Sequence, residues 1–451
     1  MRVSLKYGKD KLPVTIPDVL PGRGPRDAGP RRASPLIAAE AIALNRAGDT
    51  QIIEPPPLPA VDSPDEAILA ALQNPIASPA LTDTLPADGE VAIVVSDKTR
   101  SCLYPELLPL FLNYLNASGV PDKRMVLLVA YGAHKSHSEE ENLRTYGEEV
   151  LRRLRLVHHD CRDGSQLFYL GRTRRGTEVR LNRKYLEAAA TVTFGGVGVH
   201  YFAGFGGGRK MIFPGLASEE GILHNHRIFV EATGGRLEPM RRFKARLDNH
   251  PLHDDLTEAV AMAPPSFSLN VCLNEAQKVA GVFAGDWQES HRLACELVLR
   301  TCVPRGQKYD LVIASCGGYP KDINLIQAHK TIDNAFALIK TGGTIVVLAR
   351  CEDGIVSESF LRWFDYPDTA TMREALLSMY TMNGGTALAL KAKAAACDIH
   401  LYSGLEEKDV EKMGLQPVRD VQEALTRIVA DRNIRSVAIL PEGASTVVSP
   451  E

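Results

Sequence analysis

A chain of 451 residues that is 45% hydrophobic with a formal net charge of −3 is long enough for two cores rather than one. Its near-balanced charge, without an arginine-rich patch interleaved with aromatics, excludes the electrostatic footprint of a nucleic-acid binder and gives no hint of membrane binding. No run reaches the roughly eighteen apolar residues of a spanning helix, and the opening MRVSLKYGKDKLPV lacks the apolar centre of a signal peptide, so a cytoplasmic protein is expected.

Alternating strand and helix signals predict an α/β fold of two domains, with mainly parallel sheets flanked by helices. The Pro-rich stretch from Pro55 to Pro64 reads as a surface connection. A strand is expected over Val91 to Ser96, an unbroken apolar run that ends in Asp97, Lys98, Thr99 and Arg100. That is how the carboxyl end of a buried parallel strand looks, and α/β proteins place ligands there. Arg100 suits a carboxylate through its bidentate fork, although an ion pair at a helix start is the plainer reading of this loop taken alone. A helix over Leu107 to Ala117 and a strand over Met125 to Ala130 follow, leading to His134, Ser136, His137 and the acidic run Glu139 to Glu141. His137 reads as a helix-start residue beside a capping-type turn. Further strands are expected over Val157 to Asp160 and Val192 to Gly195.

The densest segment comes next, GVGVHYFAGFGGGRKMIFPGLASEEGILHNH, from Gly196 to His226. Gly204, Gly206, Gly207 and Gly208 flank a single large side chain, Phe205, so backbone N–H groups can approach a ligand closely or adopt positive φ. Lys210 at the mouth of that loop is either a phosphate counter-charge or, with a depressed pKa, a nucleophile that bonds to a ligand. His200 and His226 bracket it, and each could be metal ligand or proton carrier. The loop is neither a P-loop nor the G-x-G-x-x-G of dinucleotide folds.

Beyond a helix over Glu289 to Arg300, the segment Pro304 to Lys308 marks the best break. It divides the chain into domains 1–303 and 308–435, with 436–451 expected to return to the first. Strands over Leu311 to Ser315, Thr344 to Ala349 and Ser436 to Leu440 and helices over Thr331 to Ile339 and Thr371 to Met379 complete the reading. Gln327 and Lys330, three apart, share a face if helical. Eight scattered cysteines without a C-x-x-C pair read as buried, reduced small hydrophobes. Cys102 and Cys316 lie beside the proposed loops, where a soft metal ligand is conceivable.

The pattern H-x-x-A-G-F-G-G-G-x-K followed by P-G and N-H resembles the nickel-pincer lactate racemase family, and D-K-T-R and G-A-H fit its D-x-T-R and G-x-H loops. The resemblance implies that Lys210 carries a pyridinium-derived nickel-pincer nucleotide as a thioamide and that His226 ligates its nickel. It implies His134 and His200 as paired acid/base residues. Asp97 and Thr99, with Gly206, Gly207 and Gly208, would help to hold the cofactor, and Arg100, Gln327 and Lys330 would hold the substrate. The implied reaction is inversion of a 2-hydroxy acid by hydride transfer through a transient 2-keto acid, in a cleft between the domains. Separate cofactor maturation enzymes are implied partners. Two departures from the pattern, Ser101 after Arg100 and Ile326 before Gln327, leave the substrate's side chain open. Three rival readings stay in play: a dehydrogenase or other nucleotide enzyme with a non-covalent cofactor, a binding module without catalysis, and a zinc hydrolase using His224 and His226 as an H-x-H pair on a strand.

Overall fold

The computed structural model describes residues 1–17, 50–100, 102–356 and 358–449, so Ser101 lies outside the described residues. Two six-stranded sheets organise the chain. In the first, the order is Val279–Gly285, Phe267–Leu273, Ala190–Gly196, Val91–Ser96, Met125–Ala130 and Arg155–His158. Its neighbours pair in parallel except at the edge, where Val279–Gly285 is antiparallel. Every residue of Val91–Ser96 and of Met125–Ala130 is buried, as expected for central strands covered on both faces.

The second sheet, Gln416–Val418, Asp398–Tyr402, Ile339–Leu348, Tyr309–Ser315, Val437–Leu440 and Thr50–Ile52, is parallel throughout. Three assignments to the first domain are thereby corrected, since Thr50–Ile52 is an edge strand of this second sheet. Val437–Leu440 does not return to the first sheet but pairs between Tyr309–Ser315 and Thr50–Ile52. The N-terminal hairpin of Arg2–Tyr7 and Asp10–Thr15 packs Leu5, Tyr7 and Val14 against Leu311, Ile313 and Val346 of the second sheet. Val437–Leu440 is short and apolar throughout, a run that either sheet would satisfy, whereas the hairpin buries only alternate residues on one face. Only after the last strand does the chain approach the first unit, where Val448 bridges Val303.

The helix expected over Thr331 to Ile339 begins earlier and spans Leu325–Phe336, capped by Asn324, whose side chain accepts from Gln327 N. His224 and His226 lie on the helix Glu219–Thr233 rather than on a strand. Residues two apart on a helix diverge, and His224 bonds Arg175 O instead, so the H-x-H zinc pair is not formed. All eight cysteines are free and seven are buried. Burial pushes the Cys102 and Cys316 thiols up to about 12, as expected for buried, reduced cysteines. Among the described residues no helix is long and apolar enough to cross a membrane.

Candidate active site

The strands Val91–Ser96 and Met125–Ala130 pair with Ser96 opposite Ala130, so the loops that follow them emerge side by side. Asp97 opens the first loop and is 4% exposed. Its Oδ1 accepts from Thr99 N at 2.8 Å and Thr99 Oγ1 at 2.6 Å, and its Oδ2 stands 2.5 Å from His134 Nδ1 at the end of the second loop. Burial alone would raise the Asp97 pKa, but the bond from His134, its charge, Thr99 and Arg100 outweigh it and hold the carboxyl well below the usual range. A carboxylate on Nδ1 leaves Nε2 of His134 as the ring nitrogen free to exchange a proton. Next to these residues, His137 does precede a capping box of Ser138 and Glu141, and its Nε2 accepts from Lys98 N at 3.0 Å, fixing the loop that holds Asp97.

The glycine loop lies at the carboxyl end of Ala190–Gly196, the strand beside Val91–Ser96. Gly207 and Gly208 sit at φ +71° and +50°, and a Cβ on Gly208 would fall 2.4 Å from the His291 ring. His291 also hydrogen-bonds Gly206 O at 3.0 Å. A side chain at either place would displace the loop. Gly206 faces Arg100, whose Nη1 lies 3.7 Å from where a Cβ would be, which joins the first loop to the third.

Lys210 ends this loop with Nζ 3.1 Å from His200 Nε2, while Ala203 N donates to His200 Nδ1 at 3.3 Å. Lys210 Nζ also lies 5.3 Å above the Phe202 ring, and Phe202 meets the His226 ring edge-on at 4.9 Å. His226 therefore stands across one aromatic ring from Lys210. Burial first, then Arg100, Arg209 and Lys330, depresses the Lys210 amine well below its ordinary value. Burial and then Lys210, Arg100, Lys330 and His226 do the same for His200. His226 is lowered to about 3 by burial, Lys210 and His134.

From the second sheet's side, Lys330 Nζ donates to Gln327 Oε1 at 2.6 Å on the helix Leu325–Phe336, and burial, Arg100 and Lys321 pull Lys330 down to about 7. Arg100 is likewise lowered by burial, with Asp97 opposing. The structure thus brings Asp97, Arg100, His134, His200, Lys210, His226 and Lys330 within electrostatic reach of one another, with Gln327 bonded to Lys330. Three side chains of this neighbourhood escaped the sequence reading. Phe202 and His291 carry no local signal. Arg209 had one, an arginine inside a glycine run; it is 2% exposed, donates to Ala203 O at 2.9 Å, and leaves Nε and Nη1 without a partner.

Residues 38–236 match the family model of the lactate racemase N-terminal domain, and residues 305–448 match that of the lactate racemase C-terminal domain. The chain belongs to the lactate racemase family. It is 28% identical to the lactate racemase of Thermoanaerobacterium thermosaccharolyticum over 99% of both chains. It is 33% identical to that of Lactiplantibacillus plantarum over 66% of this chain and 69% of the relative. The structure of the lactate racemase apoprotein from Thermoanaerobacterium thermosaccharolyticum superposes with a TM-score of 0.81 at 27% identity, covering 100% of both chains. A crystal structure from Thermotoga maritima, with a TM-score of 0.65 at 18% identity over 85% of this chain and 98% of that one, shares the fold alone. Membership makes this protein an isomerase of the racemase class.

The lactate racemase family in general uses a nickel cofactor, and the residues present fit one that brings its own donors. Among the described residues no group of three or more His, Cys, Asp or Glu side chains is arranged to hold a metal. The described residues therefore offer no complete protein ligand set, and His226, a neutral imidazole, offers a single nitrogen. Beside it, burial and then Arg100 depress both Lys210 and Lys330, and Lys330 adds to the effect on Lys210, a concentration of cationic groups suited to an anionic nucleotide and a carboxylate substrate.

Proposed function

We propose that the protein inverts C2 of a 2-hydroxy acid with a nickel-pincer nucleotide bonded covalently to Lys210, His226 being the chain's ligand to nickel. The observation that carries this reading is the His200–Lys210 pair. With Ala203 N donating to Nδ1, a neutral His200 carries its hydrogen on Nε2, which faces Lys210 Nζ. Lys210 must then accept, as an unprotonated amine, in agreement with its depressed pKa. An unprotonated buried amine is a nucleophile, whereas a lysine kept to contact phosphate would hold its proton.

When bound, such a group supplies an electrophilic ring that takes up and gives back the C2 hydride, a capacity no side chain offers. Arg100 and Lys330 hold the substrate carboxylate, and Gln327, bonded to Lys330, orients that amine. Loss of hydride from C2 requires loss of the hydroxyl proton, which His134 accepts on Nε2 while Asp97 balances the charge on Nδ1. His200, whose Nε2 would be released once Lys210 is bonded to the cofactor, would exchange the hydroxyl proton of the opposite enantiomer. Direct deprotonation at C2 is disfavoured because a hydrogen beside a carboxylate is very weakly acidic, and the cleft would have to stabilise a carbanion. A racemase that holds its nucleotide non-covalently is the second reading, since the glycine loop and its cations suit any nucleotide.

The test is chiral chromatography of enantiopure 2-hydroxy acids in D₂O, with protein made alongside cofactor-producing enzymes. Appearance of the opposite enantiomer with its C2 hydrogen retained is expected. Deuterium at C2 of every inverted molecule would overturn the hydride route. Inversion by protein whose Lys210 carries no adduct would establish the non-covalent cofactor.

A further inference from the structure

One face of the helix Leu325–Phe336 carries Gln327 and Lys330, and the neighbouring face carries His329 and Asp333 one turn apart. Asp333 receives two ammonium groups. Lys244 Nζ reaches its Oδ2 at 2.9 Å and Lys393 Nζ reaches its Oδ1 at 2.9 Å, with lysine side chains only 9% and 2% exposed. Lys244 also donates to Asn334 Oδ1, and Asn334 Nδ2 donates to Gly443 O at 2.6 Å. Three separate pieces of chain meet at one carboxylate.

Each lysine is in turn attached to the other half of the site. The residue after Lys244 donates its backbone N–H to Gly204 O at 3.3 Å. Gly204, at φ +77°, leaves room for Arg246 O only 1.9 Å from where a Cβ would be. The segment bearing Lys244 is thus laid directly on the start of the loop that ends in Lys210. On the other side, Lys393 Nζ lies 3.3 Å from His329 Nε2, and the His329 ring meets Tyr201 edge-on at 5.3 Å. The Tyr201 hydroxyl bonds Thr386, on the same helix as Lys393. Tyr201 follows His200, and their rings stack 5.9 Å apart.

We propose that Asp333 is a positioning residue which, through Lys244 and Lys393, sets the separation and rotation of the Gln327–Lys330 face relative to the His200–Lys210 loop. Both of its carboxylate oxygens are taken by the two lysines. Directional contacts from two sides fix the rotation of a helix about its own axis, which apolar packing leaves freer. Removing the carboxylate that two buried lysines share would strand charge in the interior. The assignment of Lys330 and Gln327 to substrate rests on the function proposed above, whereas the mechanical coupling of the two segments does not.

The experiment compares the full-length protein with Asp333→Asn and Lys393→Met; the second keeps the Asp333–Lys244 pair in case the first does not fold. Hydrogen–deuterium exchange of the unloaded proteins is expected to show 325–336 and 199–211 losing protection together by about tenfold or more, with 91–96 and 125–130 unchanged. In loaded protein, kcat/KM should fall about 10- to 100-fold, mainly through KM, with the yield of modified Lys210 unchanged. A lower melting temperature with KM unchanged and exchange faster everywhere, or in 325–336 alone, would overturn the proposal. If the parent protein inverts no 2-hydroxy acid, the proposed function fails while the exchange data still decide the coupling.

Discussion

His134 and His200 differ both in exposure and in their neighbours. His134 has a side chain 52% exposed and an ionised carboxylate 2.5 Å from Nδ1. His200 is buried, 7% exposed, with an amine for a partner and cations on several sides. The rim histidine can trade protons with water and has its counter-charge built in. The interior histidine has none, so any positive charge gathering there needs an anion brought by a ligand. The same contrast separates Asp97, already satisfied by Thr99 and His134, from Lys210 and Lys330, both depressed by burial and then by Arg100. One side of the site is complete before anything binds, and the other is built to be completed.

The most severe way to break this contrast is Lys210→Ala. It removes the unprotonated amine, and chiral analysis should show inversion falling by about 10⁴-fold or more, as when a nucleophile is deleted. Next come His200→Gln and His134→Gln, each expected to cost about 10²- to 10⁴-fold in kcat as lost acid–base partners. Both should leave the modification of Lys210 in place, read by peptide mass.

Asp97→Asn sharpens the comparison, because it removes the built-in counter-charge and keeps the shape. A loss of about 10- to 100-fold in kcat is expected, with little change in KM. The smallest effect belongs to Lys330→Met, and it carries a sign. The folded pKa of about 7 lies below the ordinary lysine value, so between the two the unfolded chain binds a proton that the folded chain does not. Stability contributed at this position therefore rises with pH through that window. Thermal melts should find Lys330→Met more stable than the parent at pH 7 and below, with the gap closing toward about pH 10. Its KM for a 2-hydroxy acid should be raised about tenfold and should lose the increase that the parent shows above pH 7.

Much of the fold was legible where burial is unmixed. Val91–Ser96 and Met125–Ala130 are apolar at nearly every position, and their ends fall where the sequence puts them. The start of Leu325–Phe336 was not legible, because Gln327, His329 and Lys330 interrupt the apolar period in its first turns, and those residues face the site or its supports. Nor could the sequence say where Val437–Leu440 pairs, since a parallel strand meets its neighbours through long crossovers. In the site, the loop motifs brought Asp97, His134, His200 and Lys210 into view. Phe202, Arg209 and Asp333 stayed hidden, because what matters about them is the burial and the partners that only the fold provides.

Peptide mass spectrometry of the protein produced with cofactor-making enzymes tests the central claim most directly. The account predicts a nucleotide-sized adduct on Lys210, accompanied by nickel and absent from Lys210→Ala. An unmodified Lys210 in cells shown to load a known lactate racemase would contradict it.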